Sequence, residues 1–461
     1  MAKEVAALRE DELHCAINTL RELIPGEELN QLQPSSPQTV YTTLVTLWML
    51  TLQRLGCGKT LAGVVRDVLS HNRELLPQNR RVQEGTLSLS SSAYSNARHR
   101  LSLETAEYFA NRVSSSIIAS SPPSWFEDRR VFILDGTTIT LEPTPELQEA
   151  FPPATNQHGE TVWPVAMLLV AHEAQTGCAL VPEIGAMYGK HNTSEAELSK
   201  AMMRRIPRGS LVMADSGFGI FGVAYSVVHS GCPILLRMTR SRFKTVRRQA
   251  TLIEDFDGYR TYEARWTPSV KDRKSHPELP DDAVLDVFLH EIPLDNGETL
   301  FLVTTLPMSS KQAAEYYSRR YDVEHDIRDI KVTLDTENIR ARSVAMVKKE
   351  LLTSMVAYNL VVQFRRQAAQ LANVPPRRMS FTGVLRTFES FLLKQAPCDA
   401  KTWIERFEQA LRLSAKHDKL PNRGKRSNPP RRAHPRRPKS TKFMKQQTAE
   451  KHEKPPPQKP K

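Results

Sequence analysis

The hydrophobic positions divide the chain into a helical start, a strand-rich middle and a helical end. In the first 120 residues apolar side chains recur every three or four positions, which predicts helices at 12–23, 39–55, 61–70, 90–101 and 103–118. Beyond Pro122, short apolar runs predict strands at 130–142, 162–171, 178–187, 210–214 and 233–238, with helices at 194–206 and 223–230. Strands continue to about residue 306, and helices return at 349–371, 381–394 and 401–413.

Two aspartates occur in apolar strand surroundings. Asp135 follows the apolar start of the strand at 130–142, and Asp215 ends the strand at 210–214. A carboxylate inside a sheet is costly unless it is paired, hydrogen-bonded or bound to a metal. Ligands of sheet proteins also gather at strand ends. Both aspartates are therefore candidates for a binding site, and the alternative is a carboxylate satisfied by turn amides.

The stretch from 315 to 335 predicts one amphipathic helix. At helical spacing Tyr317, Arg320, Glu324 and Lys331 fall on a single stripe. Apolar residues fall in the neighbouring arc, so one edge of the helix can be buried while the stripe faces a ligand. Such a stripe can hold a metal ion and a phosphate together. The alternative is an ordinary surface helix with its charges in water.

The spacing of these four residues resembles the signature of the family-four insertion-sequence transposases, a branch of the DDE transposases with an RNase H-like catalytic domain. The element order strand, strand, strand, helix, strand, helix, strand strengthens the resemblance, with Asp135 on the first strand and Asp215 on the fourth. Glu324 lies 109 positions after Asp215, which leaves room for the β insertion of the family. In one departure, Ser216 stands where the family commonly has Arg, which predicts a weaker or relocated phosphate contact.

The resemblance implies that Asp135, Asp215 and Glu324 are the catalytic residues and the metal ligands. Three carboxylates in one cleft repel each other unless cations are bound between them, and their charge suits two divalent ions. No His or Cys cluster accompanies them, so Mg²⁺ or Mn²⁺ is expected rather than zinc. Arg320 and Lys331 would neutralise phosphates near the scissile bond, and Tyr317 would donate a hydrogen bond to them.

Further DNA-binding candidates lie outside the signature. The polar helix at 90–101 carries Arg98 and Arg100, and a solvated helix is its alternative reading. A run of cations follows the fifth strand, where phosphate contact competes with a merely solvated loop; its members are Arg237, Arg240, Arg242, Lys244, Arg247 and Arg248. Trp266 lies in the insertion, where related enzymes use an aromatic residue to hold a flipped base. A lone Trp more often serves packing.

Charge and cysteine usage narrow the setting. The 461 residues carry a net charge of +13, but residues 421–461 hold fourteen Lys and Arg against Glu450 and Glu453, which leaves +1 for the rest. Nine prolines and this charge predict a disordered basic tail from 416 to 461, with either a DNA-guiding or a solubilising role. Five scattered cysteines indicate a reducing cytoplasm, and no membrane segment is expected.

Together these patterns predict an α/β fold: an RNase H-like mixed sheet flanked by helices, an all-β insertion, a helical N-terminal DNA-binding domain, C-terminal helices and a disordered basic tail. The expected N-terminal domain is 1–122. The catalytic domain is expected in two parts, 123–241 and 307–347, around an insertion at 242–306. C-terminal helices are expected at 348–415 and the tail at 416–461.

The resemblance implies a bacterial cut-and-paste transposase. Such a protein binds the terminal inverted repeats of an insertion sequence, cleaves double-stranded DNA through hairpin ends and joins those ends to target DNA, acting as a homodimer. Two alternatives remain at this stage. One is a metal-dependent nuclease or resolvase of the same fold that does not join DNA, and the other is a DNA-binding repressor with a decayed active site.

Overall fold

A computed structural model describes residues 26–56, 60–71, 76–121, 128–156, 159–334, 336, 339–393 and 400–421. The helix expected at 12–23, Asp335 and the tail beyond Pro421 lie outside the described residues. The described residues up to Leu420 belong to one compact unit. None of the helices in the described ranges combines the length and the apolar character that a membrane span requires.

Six helices precede the first strand in the described part of the chain. They are α1 (Gly26–Leu32), α2 (Thr43–Arg54), α3 (Leu61–His71), α4 (Arg80–Gln83), α5 (Ser92–Arg100) and α6 (Leu103–Ala119). Side-chain caps begin several of them: Thr42 accepts a hydrogen bond from the amide of Val45, and Ser102 accepts one from the amide of Thr105. The helical character expected for this segment is therefore confirmed in the described residues.

One ten-stranded mixed sheet forms the centre of the molecule. Its order is β2-β3-β1-β5-β6-β10-β9-β8-β7, with β4 paired to β3. The strands are β1 (Val131–Thr140), β2 (Pro153–Asn156), β3 (Gly159–Glu173), β4 (Glu183–Ala186), β5 (Leu211–Ala214), β6 (Ile234–Arg237), β7 (Thr251–Phe256), β8 (Tyr259–Trp266), β9 (Leu285–Pro293) and β10 (Thr299–Thr304). Strand β1 runs antiparallel to β3 and parallel to β5, and β5 runs parallel to β6. This arrangement fits an RNase H-like transposase fold.

Helices connect the strands and lie along the sheet. They are α7 (Pro145–Ala150), α8 (Glu195–Met202), α9 (Phe221–His229), α10 (Arg240–Arg247) and α11 (Val270–Ser275). Helix α8 begins with a capping box, in which Ser194 and Glu197 satisfy each other's backbone amides. The cap fixes the first residue of α8, Glu195, at the start of the helix.

The insertion differs from the all-β expectation in two ways. The cationic run that was expected as a loop includes helix α10, which is capped by Thr239, and the insertion also contains α11, which begins with a Ser269–Asp272 capping box. These local caps favour helix at positions where the hydrophobic pattern is uninformative. In addition, β10 pairs with β6, so the strands of the insertion extend the catalytic sheet.

The signature stretch is not one continuous helix. Helix α12 (Ser310–Ser318) ends before Arg319, α13 (Tyr321–Arg328) follows, and a π-helical turn covers Asp329–Thr333. At the junction the amide of Arg320 bonds to the carbonyl of Tyr317 at 2.9 Å, three residues back, as in a 3₁₀ turn. The expectation of a single helix was wrong here because the hydrophobic spacing carries no information about this tightening.

The C-terminal helices cover the sheet. They are α14 (Val344–Leu371), α15 (Phe381–Leu393) and α16 (Ala400–His417), with a 3₁₀ turn at Pro376–Arg378. Nearly every side chain of α14 after Met346 is buried, and α14 packs against α2, α6 and α16. The N-terminal helices, the sheet and the C-terminal helices therefore share one hydrophobic core.

Candidate active site

The two strand aspartates lie at the same level of the sheet. Ile133 of β1 is opposite Met213 of β5 in parallel register. Asp135 and Asp215 each follow two residues later, so they are neighbours across adjacent strands, which are about 4.8 Å apart. Both aspartates therefore lie at the level where β5 ends and β1 continues.

Each aspartate accepts a hydrogen bond from a nearby backbone amide. Oδ1 of Asp135 accepts a hydrogen bond from the amide of Gly136 at 3.0 Å. Oδ1 of Asp215 accepts one from the amide of Gly217 at 2.8 Å. These bonds orient the carboxylates but leave most of their acceptor positions available to a ligand.

A third carboxylate, that of Glu195 on α8, lies close to Gly136 of β1 and to Gly217 of the loop after β5. A Cβ built on Gly136 would come within 1.8 Å of Oε1 of Glu195, and a Cβ built on Gly217 would be 3.5 Å from Oε2. Burial, with the negative charges of Asp135 and Asp215, raises the pKa of Glu195. We refer to the space between Gly136 and Gly217 as the glycine cradle.

Glu324 on α13 reaches the same site from the covering helix. Its side chain is 53% exposed and Oε1 accepts a hydrogen bond from Arg320 at 2.7 Å. Val323 and Ile327 anchor α13 in the apolar cluster that also contains Ile133 and Met213. The helix thus packs over the strands that carry the aspartates, and it places Glu324 within electrostatic reach of Asp135.

The electrostatics show that the acids are close. Burial raises the pKa of Asp135 to about 6; Arg320 and the Gly136 amide oppose this shift, while Asp215 and Glu324 add to it. Among the described residues, no three acidic, His or Cys side chains are already arranged to share one metal ion. The Glu324 carboxylate is paired with Arg320, which is itself near enough to Asp135 to lower its pKa.

Tyr317 and Lys331 lie on either side of Glu324 in the signature. The ring of Tyr317 is buried, and its hydroxyl makes no hydrogen bond with the described residues. Burial raises the pKa of this phenol, and both Arg320 and Asp215 are close enough to influence it. Lys331 lies on the π-helical turn and is half-buried.

A buried ion-pair network anchors the helix that carries Glu324. Arg377 donates two hydrogen bonds to the carboxylate of Asp326, at 2.9 and 2.8 Å, and its Nε lies 3.0 Å from Oδ2 of Asp322. Burial alone would raise the pKa of Asp326, but Arg377 and His172 lower it overall. Because Arg377 belongs to the 3₁₀ turn after α14, this network ties α13 to the C-terminal helices.

The cationic run after β6 divides into two groups. Arg242 is directed to the loop of the second aspartate, where it donates to the carbonyls of Ser216 at 2.9 Å and Gly219 at 3.4 Å. Arg237, Arg240 and Lys244 are exposed, and Arg237 is near enough to Tyr317 to affect the pKa of its phenol. The run therefore begins at the edge of the acidic site and continues along the surface.

Two other DNA-binding candidates are placed inside the protein. Arg98 is 9% exposed and pairs with Glu350 of α14 at 2.6 Å. Trp266 is 5% exposed and packs edge-on against Phe221, with ring centroids 5.5 Å apart. The structure therefore gives no support to either expectation: both side chains are buried, Arg98 in an ion pair and Trp266 in an aromatic contact. Arg100, two residues after Arg98, is exposed.

One cavity of the described structure is separate from the acidic site. It has a volume of about 500 Å³ and lies between the N-terminal helices, the loop at 340–343 and α14. Its polar lining includes Arg54, Arg340, Arg342, Glu350 and Glu389. None of the acidic residues Asp135, Asp215, Glu195 and Glu324 lines this cavity.

Sequence reasoning missed Glu195 and the Arg377–Asp326 pair. The capping box at Ser194 could have placed Glu195 at the start of a helix that leads into the strand of Asp215. The glycine cradle, by contrast, depends on tertiary contacts. Arg377 is 51 positions from Asp326 along the chain, so no local pattern connects them.

Comparison with known proteins places this site in a family context. Residues 126–360 match the family described as Transposase DDE domain, and this range includes Asp135, Asp215 and Glu324. The chain is also 22% identical over 386 residues to the transposase InsG for insertion sequence element IS4 of Escherichia coli (strain K12). That alignment covers 81% of this chain and 82% of the relative.

Proposed function

Because this chain belongs to the DDE transposases, in the branch of insertion-sequence family four, we propose that it moves its element by a cut-and-paste reaction. It binds the terminal inverted repeats, cleaves the DNA at both ends through hairpin intermediates and joins the freed 3′ ends to target DNA. The observation that supports this proposal is that adjacent strands carry Asp135 and Asp215, and that α13, which packs on β1, brings Glu324 near enough to raise the pKa of Asp135.

The donor set suits the divalent metal ions that DDE transposase domains use. The ligands offered are oxygen atoms, which favours Mg²⁺ or Mn²⁺, and the repulsion among the acids favours two ions. Asp135 and Asp215 would hold them from the sheet, and Glu324 would join after its carboxylate leaves Arg320. When bound, the ions would lower the pKa of the attacking water or 3′-hydroxyl and stabilise charge on the departing 3′ oxygen.

The side chains around the acids would bind and orient the DNA. Arg320, once released from Glu324, can neutralise a phosphate near the scissile bond. The unsatisfied hydroxyl of Tyr317 can donate a hydrogen bond to a phosphate oxygen. Lys331 would extend this contact to a neighbouring phosphate. When Arg320 leaves Glu324 for a DNA phosphate, the Glu324 carboxylate becomes free to bind metal. DNA binding would therefore complete the acidic site.

Because Ser216 replaces an Arg that is common in the family, a phosphate contact is expected from another residue, and Arg242 is positioned to make it. In the family an Arg commonly follows the second aspartate, and here the guanidinium of Arg242 reaches the same loop from α10. Its remaining N–H groups can face a phosphate near Asp215. Exposed Arg237, Arg240 and Lys244 would continue the path along the DNA backbone.

We further infer that the working form is a homodimer on DNA, located in the bacterial cytoplasm. A reaction at two transposon ends requires two active sites. The C-terminal helices are candidates to join the subunits. The N-terminal helices, with exposed Arg100, are candidates to read the end sequence.

A strand-transfer assay with pre-cleaved transposon ends tests the proposed function. Purified protein, labelled end DNA, a target plasmid and Mg²⁺ should yield joined products. Metal-dependent nicking without joining would indicate a nuclease or resolvase instead. Binding with neither nicking nor joining would indicate a repressor.

A further inference from the structure

We propose that Glu195 is a fourth carboxylate of the catalytic metal site, acting with Asp135 and Asp215. The inference rests on the proposed function, because it assigns a further ligand to the same site. It is carried by the position of the Glu195 carboxylate in the glycine cradle, against Gly136 of β1 and Gly217 of the loop after β5.

The glycine cradle is open because the two positions that face Glu195 are glycines and therefore have no Cβ. A Cβ on Gly136 would occupy the place of the Glu195 carboxylate, and one on Gly217 would contact its other oxygen. Gly136 has no left-handed backbone, so open space, not conformation, is what glycine provides there. Glu195 is held at this location by the first turn of α8 and its capping box.

The Glu195 carboxylate lies near two other carboxylates, and no described cationic side chain is paired with it. In the described part of the chain no cationic side chain forms an ion pair with Glu195, although it is half-buried. Nearby Glu197, on the same helix, is instead used as the cap. A carboxylate held against two aspartates without a counter-charge is unfavourable, unless a bound cation supplies that charge.

A second, independent feature near Asp215 also points to a ligand. The hydroxyl of Tyr317 is buried, has no partner among the described residues and lies within electrostatic reach of Asp215. A buried donor without a partner is costly, so a ligand oxygen near Asp215 would satisfy it. The acidic oxygens and this donor suit a hydrated divalent cation together with a phosphate.

The direct test measures Mn²⁺ binding by the full-length protein without DNA, using calorimetry and electron paramagnetic resonance. Glu195→Gln should weaken binding at least tenfold or remove one ion. Glu197→Gln is the matched control, because Gln preserves the capping box while removing one charge from the same helix. The control should remain within twofold of wild type. Wild-type affinity and ion count in Glu195→Gln would overturn the inference.

A second measurement separates a metal ligand from a merely structural residue. If Glu195 is a ligand, Glu195→Gln should raise the Tm of the metal-free protein, because it removes repulsion, and should reduce the Tm gain on adding Mn²⁺. A structural residue would instead lower the metal-free Tm and leave the Mn²⁺ gain unchanged. Gly136→Ala, which displaces the Glu195 carboxylate, should reproduce the loss of Mn²⁺ affinity without changing an acid.

Asp135→Asn distinguishes failure of this inference from failure of the proposed function. If Asp135→Asn loses Mn²⁺ and Glu195→Gln does not, the metal site stands and only the role of Glu195 is wrong. If neither variant affects Mn²⁺ binding, the site itself has been assigned wrongly, and the inference falls with it.

Discussion

Asp135 occupies a position in the middle of a sheet where its charge is unfavourable without a cation. Burial, Asp215 and Glu324 raise its pKa, against the opposing effects of Arg320 and the Gly136 amide, from 3.8 to about 6. A carboxyl pKa that is higher in the folded state contributes stability below about pH 3.8, and this contribution is lost as the pH rises through about 6. At neutral pH the ionised Asp135 carboxylate therefore lowers the stability of the metal-free protein.

This shift predicts how pH changes the effect of metal. Mg²⁺ should raise the Tm more at pH 7.5 than at pH 5, because the Asp135 carboxylate is charged only at the higher pH. In Asp135→Asn the difference between the two pH values should shrink. Differential scanning fluorimetry with and without Mg²⁺ measures this, and an equal Tm gain at both pH values in wild type would contradict the assignment.

The position of Arg242 beside the loop of Asp215 predicts that an arginine at position 216 can take over its role. Arg242→Ala should slow DNA cleavage about tenfold, since a charge-assisted hydrogen bond to phosphate is worth roughly 1.5–3 kcal/mol. Adding Ser216→Arg should recover most of the rate, because it returns a guanidinium to the loop from the neighbouring position. Arg265→Ala is the control, because this exposed arginine of β8 pairs with Asp286 and has no assigned DNA contact. If the double variant is no better than Arg242→Ala, Arg242 acts on the loop backbone alone.

At the scale of elements, the buried ion pair between Arg377 and Asp326 holds α13 in position. Arg377→Ala should lower the free energy of unfolding by about 3–5 kcal/mol, because it leaves Asp326 buried without its partner. The double variant Arg377→Met with Asp326→Leu should recover much of this loss. Chemical denaturation measures both variants. A change below about 0.5 kcal/mol for Arg377→Ala would show that the network does not hold the helix.

Helix α5 offers a matched pair of arginines with opposite environments. Arg98→Ala should cost about 1–3 kcal/mol of stability, because Glu350 loses a buried partner, without changing the DNA affinity of the folded protein. Arg100→Ala should leave stability unchanged and reduce the slope of log affinity against log salt by about 0.9 if Arg100 contacts one phosphate. Denaturation and DNA titrations at several salt concentrations test the pair. If Arg98→Ala weakened DNA binding and left stability unchanged, Arg98 would be a DNA contact after all.

The elements show which part of the fold is readable from sequence. Strands β1 and β5 were predicted because continuous apolar runs are typical of buried strands. The break between α12 and α13 was missed because it arises from hydrogen bonds three residues apart, while the side-chain pattern continues through it. Helix α10 was missed because its two apolar residues, Phe243 and Val246, are too few among the cations to establish a period.

At the scale of the whole molecule, the acidic site is assembled from elements distant in sequence. The triad was predicted from the spacing of the signature and from two strand aspartates. The places of Glu195, Trp266 and Arg98 could not be predicted, because each depends on a tertiary neighbour: the glycine cradle, Phe221 and Glu350. Continuity of the sheet through β6 and β10 likewise required the structure.

The most direct test of the central claim compares wild type and Glu324→Gln on a supercoiled plasmid that carries candidate repeat ends. With Mg²⁺, wild type should nick and linearise the plasmid at those ends. Glu324→Gln should keep its DNA binding and lose cleavage by about a hundredfold or more. Equal cleavage by the two proteins would contradict the assignment of Glu324 to the active site.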